Sequence, residues 1–453
     1  MKTKHFTNYQ ETLDYFFHSR PHGTIKLGLS RIIKLLELIG NPQTNFDALQ
    51  VAGTNGKGSV TRLLSTIFTE LSYKTGANYS PHLTCFNERI TFNNQLITDE
   101  EIIELANNIY DSVDTMDQIS EEMKPSFFEC TTAMAFKYFE KKSCEIAAVE
   151  VGLGGRLDAT TALNPAVTAI TSISLDHVKT LGDTIEKIAY EKAGIIKERT
   201  PIVSGTDRSE AISVIEKVAH EKKAPIYLYS KDYDYELVKS SIDDNIFNFY
   251  SKEKDIKKIR LRMNGIHQMK NASTAIMVYL LYCEKRGIKV AEDSLKNAIW
   301  HANWPGRFEK ISDNPLIIVD GAHNPEGIDA LIANWQIYFG NIKPVLLTGM
   351  LSGKDYTHIV KALSEISSFV IITEPNSPRD TDTSIIVKEY KKQKKDREVS
   401  YVPNHKSACT KALELSEQKR LPILITGSLY VIGYLKEIMK TLEFKKQIPG
   451  GVF

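Results

Sequence analysis

Cysteine is sparse in this chain. Cys85, Cys130, Cys144, Cys283 and Cys409 are the whole complement, odd in number and widely spaced, with no Cys-x-x-Cys pair. Neither a disulfide framework nor a cysteine zinc site is expected, and reduced thiols in a cytosol fit best. No run reaches the ~18 apolar residues that cross a bilayer. The opening Met1-Lys2-Thr3-Lys4-His5 leads into polar sequence and not an apolar signal core, so a cytoplasmic protein with no membrane partner is expected. An excess of one charge is also missing: 57 Lys and Arg face 56 Asp and Glu, for a formal net charge of +1. That balance gives a polyanion nothing to hold, and Lys391-Lys392-Gln393-Lys394-Lys395 reads as a solvated surface, so no nucleic-acid partner is expected. No fixed-period repeat is visible.

What is present is a soluble globular composition, 42% hydrophobic and 25% charged, in a chain of 453 residues. That length is too great for one ordinary core, and roughly two or three domains follow. The most informative stretch is Val51-Ala52-Gly53-Thr54-Asn55-Gly56-Lys57-Gly58-Ser59. An apolar run, Ala48-Leu49-Gln50-Val51, leads in. Val60, Leu63, Leu64, Ile67, Phe68 and Leu71 leave it at helical spacing. Strand, glycine turn with lysine, then helix is the context of a phosphate-binding loop. Glycines let backbone N–H groups face an anion, the helix N-terminus adds positive potential, and Lys57 meets the outer phosphates. A bland glycine turn would have no use for the lysine. The loop departs from the usual pattern: Val51 stands where the first glycine belongs, Gly58 follows the lysine, and the hydroxyl arrives one residue late at Ser59. A magnesium ion would therefore draw ligands from elsewhere.

Residues 1–45 read as mostly helical. Residues 46–205 alternate strand-like runs (Ile146–Val151, Ala166–Ile173, Pro201–Ser204) with helical patterns, which argues for a mostly parallel sheet covered on both faces. Residues 225–262 read as a surface β excursion, and a helix follows at 267–287. The breaker-rich His301-Ala302-Asn303-Trp304-Pro305-Gly306-Arg307 marks a boundary. Alternation then restarts with strands at Leu316–Val319, Pro344–Thr348, Phe369–Thr373, Val399–Val402 and Ile423–Thr426. The expected fold is α/β: a P-loop-containing, mostly parallel sheet domain over 1–306 with an N-terminal helical segment, then a smaller Rossmann-like α/β domain over 307–453.

Ligands of open α/β sheets bind beyond the carboxyl ends of strands. Glu150 closes one strand and precedes Val151-Gly152-Leu153-Gly154-Gly155-Arg156-Leu157-Asp158. A carboxylate there is a natural magnesium or water-positioning ligand, although a capping or ion-paired glutamate would look the same. Asp176-His177 follows another strand, where a structural histidine competes with a ligand oriented by its neighbouring aspartate. Ser80-Pro81-His82-Leu83 offers a hydroxyl. Ser80, Glu150 and His177 are thus candidate metal ligands. Asp183 to Gly194 reads as a helix with an Asp183–Glu186 capping box and a Gly194 stop. Lys192 shares its apolar face with Ile185, Ile188 and Ala189, so it either snorkels to water or is a desolvated amine of lowered pKa. A neutral buried amine can add carbon dioxide to become a carbamate. Beyond the boundary, Val319-Asp320-Gly321-Ala322-His323-Asn324-Pro325 is a strand end and helix start with Pro at N1. Asp320 suits a ribose hydroxyl or a substrate ammonium, or simply a cap. Gly427-Ser428-Leu429-Tyr430 closes the last strand, and Arg307 could swing onto phosphates.

Read in order, these segments resemble a known family. They are Leu27-Gly28-Leu29-Ser30-Arg31, the Gly53–Ser59 loop, Ser80-Pro81-His82-Leu83 with Asn87-Glu88-Arg89-Ile90, Phe128-Glu129 with Thr131-Thr132, Glu150–Thr160, Asp176–Gly182, Glu191–Ile195, Pro305-Gly306-Arg307 and Asp320–Pro325. The chain resembles the folylpolyglutamate synthase/dihydrofolate synthase family, within the ATP-dependent, ADP-forming Mur-type ligases. The resemblance implies that ATP phosphorylates a carboxylate of a reduced folate or dihydropteroate and that L-glutamate's amine attacks the acyl phosphate, releasing ADP and phosphate. It implies ATP contacts at Gly53, Thr54, Asn55, Gly56, Lys57, Gly58, Ser59, Asn271, Arg307 and Asp320, and Mg2+ on Ser80, Glu150 and His177. It further implies a carbamylated Lys192, catalytic roles for Lys57, Lys192 and His177, and substrate contacts at Arg156, Asp158, His323 and Ser428. A monomer is expected. Ser30 and Thr161 depart from the family pattern, where an acid and an Asn are usual. Two other readings stand beside this one: a Mur-type ligase acting on a non-folate carboxylate, and a nucleotide-binding regulator without catalysis.

Overall fold

The computed structural model describes residues 5–20, 27–351, 355–375, 382–395 and 398–447. The N-terminal reading of Met1–Lys4 and part of the expected helical segment, 21–26, lie outside them. The chain forms two compact units: residues 1–238, 246–260 and 268–303, and residues 239–245, 261–267 and 304–453.

Eight strands build the main sheet of the first unit: β1 Asp47–Ala52, β2 Thr75–Asn78, β3 Ile90–Phe92, β4 Gln95–Leu96, β5 Ile146–Glu150, β6 Val167–Ile170, β7 Ile202–Ser204 and β8 Ile226–Leu228. Their spatial order is β4-β3-β2-β5-β1-β6-β7-β8. β1 lies between β5 and β6 and is parallel to both, with Val51 opposite Glu150 and Ala52 opposite Ile170. Among the described residues, the antiparallel pairs of this sheet are β2 with β3 and β3 with β4, at one edge. Apart from Asp47, Gln50 and Glu150, β1 and β5 are apolar, and all but Asp47 are buried, as suits strands covered on both faces. One covering core draws on the helices Tyr9–Ser19, Ser30–Leu38, Asp99–Ile119 and Phe127–Lys141 against Ala48, Ala147 and Val149. A second packs Ile188, Ala189, Ala211 and Ile215 against Ala52, Val151 and Ile170.

Residues 225–262 are not wholly a surface excursion. β8 is a parallel edge strand of the main sheet, and only β9 Tyr233–Lys239, β10 Asn245–Ser251 and β11 Ile256–Leu261 form a separate three-stranded sheet. The expected helix at 267–287 is Ile266–Arg286, and a further helix spans Glu292–His301.

The second unit's sheet contains β12 Glu309–Asp313, β13 Leu316–Asp320, β14 Val345–Thr348, β15 Phe369–Ile372, β16 Val399–Tyr401 and β17 Ile423–Thr426, in the order β12-β13-β17-β14-β15-β16. Among the described residues its strands pair in parallel, except β12 with β13. β13 and β17 are neighbours with Asp320 opposite Thr426, so the loops that follow them emerge side by side.

Candidate active site

The strand expected over Ala166–Ile173 stops at Ile170, and residues 171–174 turn to the glycine loop instead. The Thr54 N–H donates to Ser172 O at 2.7 Å, and the Asn55 N–H to Ser172 Oγ at 3.1 Å. Thr171 Oγ1 donates to Asn55 O at 2.6 Å, and the Ser174 N–H to Thr54 Oγ1 at 3.1 Å. The loop is held by hydroxyls and backbone from the segment that follows β6, a set that the Thr171-Ser172-Ile173-Ser174 run could have signalled. Gly53 and Gly56 have φ of +149° and +87°, where L side chains are strained. A Cβ on Gly53 would stand 1.9 Å from Thr171 Oγ1, and one on Gly56 2.5 Å from Asn271 Oδ1. Asn271, from a distant helix, is thus seated against the loop. The helix Lys57–Glu70 begins directly after Gly56, with Gly58 and Ser59 buried in its first turn.

Two lysines converge on one carbonyl. Lys57 Nζ donates to Gly53 O and Thr54 O, both at 3.1 Å, and Lys192 Nζ donates to Gly53 O at 2.8 Å. Lys192 is 4% exposed. Burial, and then the Lys57 charge, push its pKa from 10.5 down to about 7, against the opposing pull of Asp176 and Asp158. Lys192 therefore does not snorkel. Its helix, Ile185–Ala193, is capped by Thr184, whose side chain accepts from the Lys187 N–H, one residue later than the expected cap. Asp183 pairs with Lys187 at 2.8 Å instead. The shift follows from Thr184 holding the extended backbone that a cap requires.

Glu150, at the end of β5, accepts the Ser80 N–H at 3.1 Å. Ser80 Oγ is buried with no hydrogen-bond partner. A carboxylate beside an unpartnered hydroxyl is an oxygen donor pair that suits a hard divalent cation. Among the described residues no group of three or more His, Cys, Asp or Glu is arranged to hold a metal. A cation here would fill its shell with phosphate and water oxygens, as magnesium usually does. His177 is exposed with φ +50° at the start of a one-turn helix, its N–H on Asp176 Oδ1 at 2.9 Å.

The Gly152–Asp158 loop packs on the Lys192 helix. A Cβ on Gly155 would meet the Glu191 and Lys192 carbonyls at 2.8 Å. Arg156 is exposed, bonds Glu191 Oε1 at 2.9 Å and lies 5.7 Å from the Tyr190 ring centre. Asp158 is buried, and both its oxygens accept within the loop: Oδ1 from Thr160 N and Oγ1, Oδ2 from Leu153 N. Burial raises its pKa against those bonds.

In the second unit, Asp320 is buried and accepts from the Phe308 and Ala322 N–H groups, each at 2.7 Å. Burial raises its pKa, and Arg307 opposes the rise. The Arg307 guanidinium lies over Gly321, 2.9 Å from where a Cβ would sit. The helix Pro325–Phe339 is capped by Asn324, not by Asp320. His323 Nδ1 is 2.8 Å from Gly321 O. Buried Ser428 follows β17 and accepts the Ile432 N–H. His267, which the sequence reading passed over, is paired with Asn334 at 3.1 Å, and burial with the Arg307 charge lowers its pKa to about 4.

Comparison with known proteins identifies the family and the fold. Residues 51–279 match the Mur ligase middle domain, and residues 306–429 the Mur ligase, glutamate ligase domain. The dihydrofolate synthase/folylpolyglutamate synthase of Bacillus subtilis is 33% identical over 442 residues, spanning 96% of this chain and 100% of that protein. The crystal structure of the Thermotoga maritima folylpolyglutamate synthase superposes with a TM-score of 0.83 at 35% identity, over 96% of this chain and 97% of that one. The Mycobacterium tuberculosis folylpolyglutamate synthase complexed with ADP and AMPPCP gives 0.86 at 29% identity, over 96% and 98%.

Proposed function

Because this chain belongs to the folylpolyglutamate synthase/dihydrofolate synthase family of Mur-type ligases, we propose how its own residues perform ATP-dependent ligation of L-glutamate to a folate. The carrying observation is the pair of lysines on the Gly53 carbonyl at the mouth of the phosphate loop. Gly53 to Ser59, with Asn271, bind ATP, and Lys57 neutralises the phosphoryl group as it leaves. The pterin substrate's carboxylate attacks that phosphorus, forming an acyl phosphate and releasing ADP. The glutamate amine then attacks the acyl carbon, losing a proton and expelling phosphate, to leave the amide. A carboxylate is a poor electrophile until activated, so this order is chemically required.

Ser80, Glu150 and His177 would hold Mg2+, which supplies charge neutralisation for the transferring phosphate. Burial lowers the Lys192 pKa to about 7, which brings the neutral amine within reach near neutral pH. A neutral amine adds carbon dioxide and loses a proton to become a carbamate, which would remove the repulsion between the two ammonium groups. Arg156 and Asp158 lie on the pterin side. Asp320 and Arg307 serve the nucleotide, and His323 and Ser428 place glutamate. In this reading residues 1–306 carry the ATP site and 307–453 the glutamate-ligase domain, and the enzyme works as a cytoplasmic monomer. All five cysteines are unpaired, and no helix among the described residues is long and apolar enough to cross a membrane.

The test measures ADP release from purified protein with ATP and glutamate, dihydropteroate in one arm and tetrahydrofolate in the other. Release in either, with a product heavier by one glutamyl residue, supports the reading. Release in neither refutes it.

A further inference from the structure

We propose that Gln50 is a positioning residue that holds the Gly152–Asp158 loop in place for the acceptor carboxylate, an inference that rests on the reading of that loop as the pterin side. Gln50 is fully buried in β1, among Ala48, Leu49, Val51 and Ala52. A buried amide costs free energy unless its polar atoms are bonded. Its Nε2 stands 3.1 Å from Thr160 Oγ1 and 3.1 Å from Thr161 Oγ1.

Proton counting fixes the direction of both bonds. Each hydroxyl has one proton to give. Thr160 Oγ1 donates its proton to Asp158 Oδ1 at 2.6 Å, and Thr161 Oγ1 donates to Gly155 O at 2.7 Å. Both threonines must therefore accept from Gln50, one N–H each. That orientation leaves Gln50 Oε1 buried with no partner. A side chain that orphans its own acceptor to deliver two donors is there for the donors. The chain of bonds continues from Asp158 Oδ2 to the Leu153 N–H at 2.8 Å. One side chain on β1, the strand that ends at Ala52 just before Gly53, thus ties residues 153, 155 and 158 to the strand that leads into the phosphate loop.

Two variants test this. Gln50→Met keeps the length and removes both donors. Gln50→Glu keeps the shape and, when ionised, has no proton to give. Each is expected to raise KM for whichever pterin substrate the wild type uses by about tenfold, the worth of one to two lost hydrogen bonds, with KM for ATP within about twofold. In a Thr161→Val background the Gln50→Met effect is expected to shrink, because one acceptor is already gone. An unchanged pterin KM, or equal rises in both KM values, overturns the inference. Arg156→Ala, run alongside, separates the premises. If it raises pterin KM while Gln50→Met does not, the role of Gln50 is wrong and the loop assignment stands. If neither variant moves pterin KM, the loop assignment itself fails.

Discussion

Replacing Lys192 with methionine is expected to stabilise the free protein at low pH while abolishing ligation. The side chain is buried, and its pKa falls from 10.5 to about 7. At 1.36 kcal/mol per pH unit, that difference corresponds to roughly 5 kcal/mol of cost for the charged form, an upper figure because local relaxation reduces it. The sign follows from proton counting. Between about pH 7 and 10.5 the unfolded chain binds the proton that the folded chain has lost, so stability rises with pH across that window. Below about pH 7 both states are charged and the folded state carries the whole cost. Lys192→Met removes the charge, so the gain should be a few kcal/mol at pH 6 and should vanish towards pH 10. Urea denaturation of the nucleotide-free protein at pH 6 and pH 9 measures it. ADP release should drop at least about a hundredfold, and wild-type activity in carbon-dioxide-depleted buffer should recover on adding bicarbonate. Equal destabilisation by Lys192→Met at both pH values would refute the desolvation argument. Unchanged activity, together with no effect of bicarbonate, would refute the carbamate.

Three further outcomes follow from the same geometry. Ser80→Ala deletes a buried hydroxyl that has no partner, so the thermal midpoint should hold or rise while the magnesium concentration for half-maximal activity increases severalfold. Gly56→Ala combines φ +87° with a Cβ 2.5 Å from Asn271 Oδ1, and should weaken ATP binding by more than about tenfold in calorimetry, consistent with ~1–3 kcal/mol of strain. Arg31 Nε meets both Glu129 oxygens at 3.0 and 3.1 Å with both side chains buried. Glu129→Gln should therefore cost about 3–5 kcal/mol in denaturation, and a loss under 1 kcal/mol would show that the guanidinium finds other partners.

Much of the first unit was legible because its signals are local. The glycine loop, the strand before it and the helix after it are contiguous, and the 3.6-residue period placed Lys192 on a buried face. Strand ends marked Glu150, Asp320 and Ser428 by topology alone. The misses share a cause. The cap at Thr184, the early end of β6 and the edge strand at Ile226–Leu228 depend on backbone geometry and sheet neighbours that no local period encodes.

The order of motifs in the chain determined the family, the nucleotide loop and the candidate ligands, because each is written in residues within a few positions of one another. Only the tertiary structure decided that Lys57 and Lys192 share one carbonyl, that Asn271 backs Gly56, and that two threonine protons leave Gln50 no choice but to donate. Parallel strands return through long crossovers, so these partners stand far apart in the chain: 117 residues separate Asn55 from Ser172, and 139 separate Gly53 from Lys192. A desolvated lysine beside another lysine is a property of that proximity and burial together, and neither exists until the sheet has formed.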